Sequence, residues 1–408
     1  MTSRHVFNRP LPSVIVRSGP GESKVLWPCD SSTGVYAAMP QKDRVQQRCR
    51  ASRPPVGGFK RELSPEVKEA VKDIHNSRDN WHGPLDLFVD WLVIAGVAFA
   101  VVSCGYHPVV YVIGVLVIGG RQRALRSLMH EASHLKLTRH GPLNKWLGRV
   151  FIAWPIFSGL SSYTCAHCEH HRHLWDDRRD PKLLGYMRLG LVNPRDMKQF
   201  VRRHLVKPLL LAHVPFQVTA DLIGRDEDRK ETRLRILFLV LVSAGFVLTG
   251  LGLDFLLLWV VPYATFYQVL RYWSDIADHA GLRSDNPWQA TRSWDASWLV
   301  RQFLAPHNSN WHLAHHLYPA VPHYRIHRLH KTLQAAPSYQ QAHHCDGFLF
   351  TRGQCRPSVV QDVLRPERLA QIRSRHPDAC EHRGSVLSDC AQSCPVTAMR
   401  PVDASEIE

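Results

Sequence analysis

The chain has 408 residues and a formal charge of +16, from 51 Lys and Arg against 35 Asp and Glu, and it carries 25 His. Its ten Cys are irregularly spaced along a long chain, which excludes a secreted disulfide framework. A basic excess of this size suits either nucleic acid or a membrane protein with cationic cytoplasmic segments; the placement of the charges decides for the membrane, with no nucleic acid as partner.

Residues 1–58 are rich in Pro, Gly, Ser and Arg, show no period, and are expected to form a disordered basic tail. The first residues contain no apolar stretch of the kind a secretory signal needs. Ser64 and Pro65 then predict a short helix, with Ser as its cap and Val67, Ala70, Val71 and Ile74 along one face. Two apolar hairpins follow, at about 85–120 and about 236–270, breaking near 104–108 and 252–254. Each arm has ~13 to 17 clean apolar residues against the ~20 that cross a bilayer, and snorkelling Arg residues and helices that run past the membrane make up the difference.

Neither hairpin tip contains Lys or Arg. The stretch between the hairpins opens with Arg121, Arg123 and Arg126 and closes with Arg229, Lys230, Arg233 and Arg235. This positive-inside pattern predicts four spans with the termini and the central segment in the cytoplasm. Residues 146–166 and 199–218 read as helices lying in the interface. From about residue 374 the chain turns acidic and patternless, so 374–408 reads as a second disordered tail and 59–373 as one membrane domain.

Three histidine groups carry the chemistry: His130 and His134; His167, His170 and His171; and His312, His315 and His316. Offsets of three and four put the imidazoles of each group on one helix face. Neutral imidazole is a borderline ligand that suits iron, copper and zinc, and eight of them exceed one ion and suit two. The CxxC formed by Cys165 and Cys168 lacks the second pair of a structural zinc site and reads as incidental.

These motifs resemble the membrane fatty acid desaturase superfamily, which includes alkane and carotenoid hydroxylases. HEASH at 130–134, HCEHHRHLWDDRRDP at 167–181, RYWSDIADHAGL at 271–282 and NSNWHLAHHLYPAVPHYRIHRLH at 308–330 carry the resemblance, over roughly 60–370. It implies an all-α integral membrane fold: four transmembrane helices in two hairpins and a cytoplasmic histidine-box domain that binds two irons at the mouth of an acyl tunnel. It also makes His279 a ninth ligand, with helix-end capping as the alternative, and Asp275 a partner reached directly or through a metal-bound water. Glu131 and Glu169 read as residues that orient ligand rings, or as solvated groups. The 176–181 acidic run matches the family's acidic segment after the second box and reads equally as a helix stop and salt-bridge segment, and His173, His307, His323, His327 and His330 read as non-ligands.

The implied reaction is an O₂-dependent oxidation with no catalytic residue beyond the metal ligands. The leading outcome is a carbon–carbon double bond in an acyl-lipid, acyl-CoA or carrier-bound acyl chain. A hydroxylase or other oxidase acting on a lipid or specialised metabolite, and a metal-transporting or metal-buffering membrane protein, are the alternatives. The chain shows no haem motif, GxGxxG or ferredoxin cysteine run, so electrons are expected from a ferredoxin, rubredoxin or cytochrome-type donor with its reductase. The expected location is a bacterial inner membrane with the active site on its cytoplasmic side.

Overall fold

The computed structural model describes residues 59–364, apart from 77, 193, 195, 224–227 and 354. Both expected tails lie outside the described residues. Helix α1 (Pro65–Asn76) starts where Ser64 Oγ accepts from Val67 N at 3.3 Å. Its face does pack on the core, since Val71 and Ile74 are buried in a cluster with Leu329 and Leu333.

Among the described residues, three helices are long and apolar enough to cross a membrane: α2 (His82–Ser103), α3 (Pro108–Ser133), and a third over Gly252–His279. The other arm of the second hairpin is helical too, over Arg229–Leu248. It opens with Arg229, Lys230, Glu231, Arg233 and Arg235, so only its later part is apolar. The α2–α3 turn is tied to the start of the third candidate span by a hydrogen bond from the Tyr106 hydroxyl to the Asp254 carboxylate. Phe88, Phe99, Val109 and Leu248 stand exposed along these helices, as lipid-facing positions do.

Between the hairpins come α4 (Gly141–Leu147), α5 (Leu160–Arg172), α6 (Pro181–Leu189) and α7 (Val214–Ile223). The hairpin arms Arg229–Leu248 and Gly252–His279 are α8 and α9. After them come α10 (Trp298–Leu304), α11 (His312–Leu317), α12 (His323–Leu333) and α13 (Val359–Leu364). Among the described residues the all-helical expectation has one exception, a parallel pair of β1 (Arg292–Asp295) and β2 (His343–Asp346). Trp294 N of β1 donates to the Asn310 carbonyl at 3.1 Å, Asn310 Nδ2 donates back to the Trp294 carbonyl at 2.7 Å, and Ser293 Oγ accepts from Leu313 N at 3.2 Å, so the strand braces α11.

Two buried charges fix the helices that matter most. Gly159, before α5, has no capping side chain. Glu231 of α8 takes its place, accepting from Leu160 N at 2.7 Å and Ser161 N at 3.1 Å, where a helix start favours negative charge. At the end of α9, Arg292 donates to the carbonyls of Ile276, Ala277 and Ala280 at 3.2, 3.1 and 2.7 Å, and to Asp362 Oδ2 at 2.9 Å. Gly281 follows at φ +77°, where an added Cβ would lie 2.5 Å from the Val363 carbonyl oxygen. Because Arg292 and Asp362 are both wholly buried, Arg292→Ala takes the guanidinium from three carbonyls and leaves Asp362 with its His343 contact at 3.0 Å, and should cost about 3–5 kcal/mol. Thermal unfolding of the purified variant measures it.

Candidate metal centre

His130 lies in the last turn of α3 and His134 directly follows that helix. The second group forms the end of α5, the third lies on α11, and His279 ends α9. All nine Nε2 atoms point into a shared interior. His130 meets His315 at 2.8 Å, His315 meets His171 at 2.9 Å, His171 meets His167 at 3.1 Å, and His167 meets His134 at 2.9 Å. A second set joins His170 to His279 at 3.1 Å, His279 to His312 at 2.9 Å, and His312 to His316 at 3.1 Å. The two sets of five and four rings touch where His171 stacks on His316, with centroids 4.1 Å apart.

Burial holds His167, His171, His312, His315 and His316 well below the ordinary imidazole value, and takes His134 down to about 3. At neutral pH these rings are uncharged. His170 Nδ1 donates to Asp180 Oδ1 at 2.9 Å, which leaves its Nε2 as a lone pair aimed at other imidazole nitrogens. Nitrogen lone pairs about 3 Å apart repel unless a proton or a cation lies between them, and such a cage of neutral donors suits cations. Five donors in one set exceed the four of a structural zinc site, and borderline nitrogen ligands suit iron. The residues therefore fit two iron ions: His130, His134, His167, His171 and His315 would hold one, and His170, His279, His312 and His316 the other.

The groups behind the rings are as ordered as the rings. Asp180 caps α6, accepting from Lys182 N at 2.9 Å and Trp175 N at 3.0 Å while it holds His170. Its His170 partner keeps the carboxyl below its usual range although burial opposes this. Glu131 lies 3.4 Å from His130 Nδ1 and accepts from His323 N at 2.9 Å. His323 places one ring nitrogen 2.6 Å from Asp86 and the other 3.3 Å from Glu131. Burial lowers its affinity for a proton, but the two carboxylates outweigh it and raise its pKa to about 9. Asp86, His307 and His323 are close enough to suggest a third metal group. His323 is an imidazolium with no lone pair to give, so it serves as a brace.

A cavity of about 390 Å³ opens on this centre and is lined by His130, His167, His170, His312 and His315. Its other walls include Arg123, Arg126, Lys182 and Arg271, as well as Asp275 and Asp278. A second, apolar crevice of about 910 Å³ lies among α2, α8 and α9, and shares no lining residue with the first.

The model of the family described as fatty acid desaturase matches residues 106–347. The chain belongs to the fatty acid desaturase family. It is also similar to the dihydrorhizobitoxine desaturase of Bradyrhizobium elkanii, 29% identical over 336 residues that cover 79% of this chain and 93% of that protein. With three apolar helices and this membership, the chain is a desaturase-type oxidoreductase of membranes.

The structure gathers all nine expected histidines. His279 does not cap its helix; Arg292 does that, and the His279 ring turns to the other imidazoles. Asp275 lines the cavity with its carboxylate 3.6 Å from Lys182 Nζ. Asp278, one turn on, comes nearer the rings, 3.9 Å from His312 Nε2. Sequence reasoning missed Asp180. The Asp-Pro pair signals a helix cap, but nothing in it signals contact with a histidine ten residues earlier.

Two outcomes are expected. Asp180→Ala should weaken iron retention roughly 10- to 100-fold, the usual effect of losing a carboxylate behind a ligand histidine, measured as iron per chain against chelator concentration. His323 has a folded-state pKa of about 9, above its unfolded value, so its contribution is complete below about pH 6.5 and disappears as pH rises through about 9. That contribution is on the order of 3 kcal/mol, and the pH dependence of thermal unfolding over this window should flatten in His323→Gln.

Proposed function

We propose that the protein is an O₂-dependent diiron desaturase that converts a saturated carbon–carbon bond of its substrate to a double bond. The observation that carries this is the convergence of nine imidazoles in sets of five and four beside one cavity. Two irons bound there would supply the oxidising power that an unactivated C–H bond demands and that no side-chain acid or base reaches. The balance is one O₂, two electrons, two protons and two substrate hydrogens, giving the alkene and two waters. The electrons come from an external ferredoxin, rubredoxin or cytochrome-type donor with its reductase.

The protein's own groups hold and orient. Asp180 and Glu131 set the rings of His170 and His130, and α3, α5, α9 and α11 fix the donors from four directions. The cavity walls position the chain, since angstrom-scale placement decides between a second hydrogen abstraction and oxygen transfer. The relative named for desaturation supports the alkene as outcome over the hydroxylase alternative. The family name by itself favours a fatty acyl chain. The charged walls next to the histidines favour a more polar one. The positive-inside charges support four spans with this centre on the cytoplasmic side, in a bacterial inner membrane.

Purified protein should hold two irons per chain. Reconstitution with a reductant under ¹⁸O₂ should give a product lighter by two hydrogens and free of label. A product dominated by one ¹⁸O would move the assignment to hydroxylase, and full activity with zinc in place of iron would end the diiron reading.

A further inference from the structure

Four cations line the cavity over the histidines: Arg123, Arg126, Lys182 and Arg271. Three have carboxylates to face. Arg271 Nη1 donates to Asp221 Oδ2 at 2.5 Å, Arg126 lies 4.0 Å from Asp221 Oδ1 and over the Tyr163 ring, and Lys182 is 3.6 Å from Asp275. Arg123 differs. It is buried, 8% exposed, and its guanidinium donates only to hydroxyls: Nε to Ser274 Oγ at 3.0 Å and Nη1 to Ser127 Oγ at 2.6 Å. Among the described residues no carboxylate oxygen comes within 4 Å of it. Two of its five N–H donors are engaged, and the cavity carboxylates Asp278 and Asp275 act on it only from beyond 4 Å, so a ligand carboxylate within hydrogen-bond reach would complete a cation that is costly to bury without a direct partner.

An alkyl chain is a poor occupant of such a space. It would strip water from Arg123, Lys182, Asp275 and Asp278 and give no hydrogen bond back. The apolar crevice suits a hydrocarbon, yet none of the nine histidines lines it. A volume of about 390 Å³ sits at the small end of the roughly 300–1,000 Å³ range of small-molecule pockets. Guanidinium and carboxylate pair through two parallel hydrogen bonds, which would complete Arg123 and fix the ligand's direction.

We propose that the substrate is a small polar acid whose carboxylate is held by Arg123, with its carbon chain over the histidines that share the cavity. This rests on the desaturase function proposed above and replaces the fatty acyl chain with a water-soluble carboxylate.

The test uses full-length, iron-loaded protein in nanodiscs and calorimetric titration with hexanoate and with hexanamide, which has the same shape without the charge. Hexanoate should bind saturably and hexanamide at least about tenfold more weakly. Arg123→Gln should erase that difference and Arg123→Lys should keep part of it, with iron content and thermal midpoint confirming that both variants are folded. Equal binding of acid and amide, no saturable binding, or hexanoate binding that survives Arg123→Gln (the acid then sits on the irons) overturns the proposal. Cells with and without the gene give the second arm. A pair of carboxylates differing by two hydrogens in the aqueous extract supports it, whereas changed double bonds in the lipid acyl chains refute it and leave the desaturase function standing. An ¹⁸O-labelled product refutes the desaturase function and leaves carboxylate recognition to the titration, which also decides if neither extract changes.

Discussion

Nine imidazole nitrogens facing one another inside a protein form an arrangement that the chain alone does not favour. Each is in contact with another of its kind at 2.8–3.1 Å, and seven of the nine are buried. The natural compensation for lone pairs packed this closely is a pair of cations. The rest of the fold acts to deliver these nitrogens. Three come from one helix, three from another, two from the end of a third and one from the end of a fourth, so no single element holds half the centre. Such a site exists only when the tertiary structure is complete, and metal binding and folding are coupled in the same sense.

The delivery relies on buried charges at helix ends. Glu231 satisfies the opening amides of α5, Arg292 the closing carbonyls of α9, and Asp180 both the Lys182 amide of α6 and the His170 ring. Each sits where the helix dipole favours its sign. Each also joins segments far apart in the chain: Glu231 ties α8 to α5, and Arg292 ties α9 to β1 and α13. A ligand at a helix terminus is exposed to fraying, and an apolar contact would not fix its orientation. A hydrogen-bonded charge fixes position and direction together.

The histidine groups were legible because metal ligation needs particular residues at helical spacing, and both features survive in one dimension. His279 was legible only through resemblance, as a lone histidine has no spacing to betray it. The hairpins were legible from apolar runs, but α8 shows the limit. Its five charged residues near the start leave it short of a span by composition, and Glu231 among them faces a protein partner rather than water. The roles of Asp180, Arg292 and His323 lay beyond the sequence because each is defined by a contact across 10 to 237 positions.

The cavity charges are a different case, since part of their role could have been read. Taken as loop charges, Arg123 and Arg126 mark the cytoplasmic end of a span. Taken by helical phase, they stand seven and four residues before His130, on the helix face that carries the ligand. Once His130 and His134 are assigned to a metal, Arg123, Ser127 and Arg126 must turn toward the same interior. In the structure Arg123, Arg126 and Ser127 line the cavity with His130. A positive-inside count treats such residues as solvated and interchangeable, whereas phase separates Arg121, which pairs with Asp90, from Arg123, whose direct partners are the hydroxyls of Ser127 and Ser274. One helix, α3, with the residue that follows it, thus carries two of the nine histidines and also the Arg123 that lines the same cavity. Substitutions along α3 can change what the cavity accepts without moving the ligands at its end.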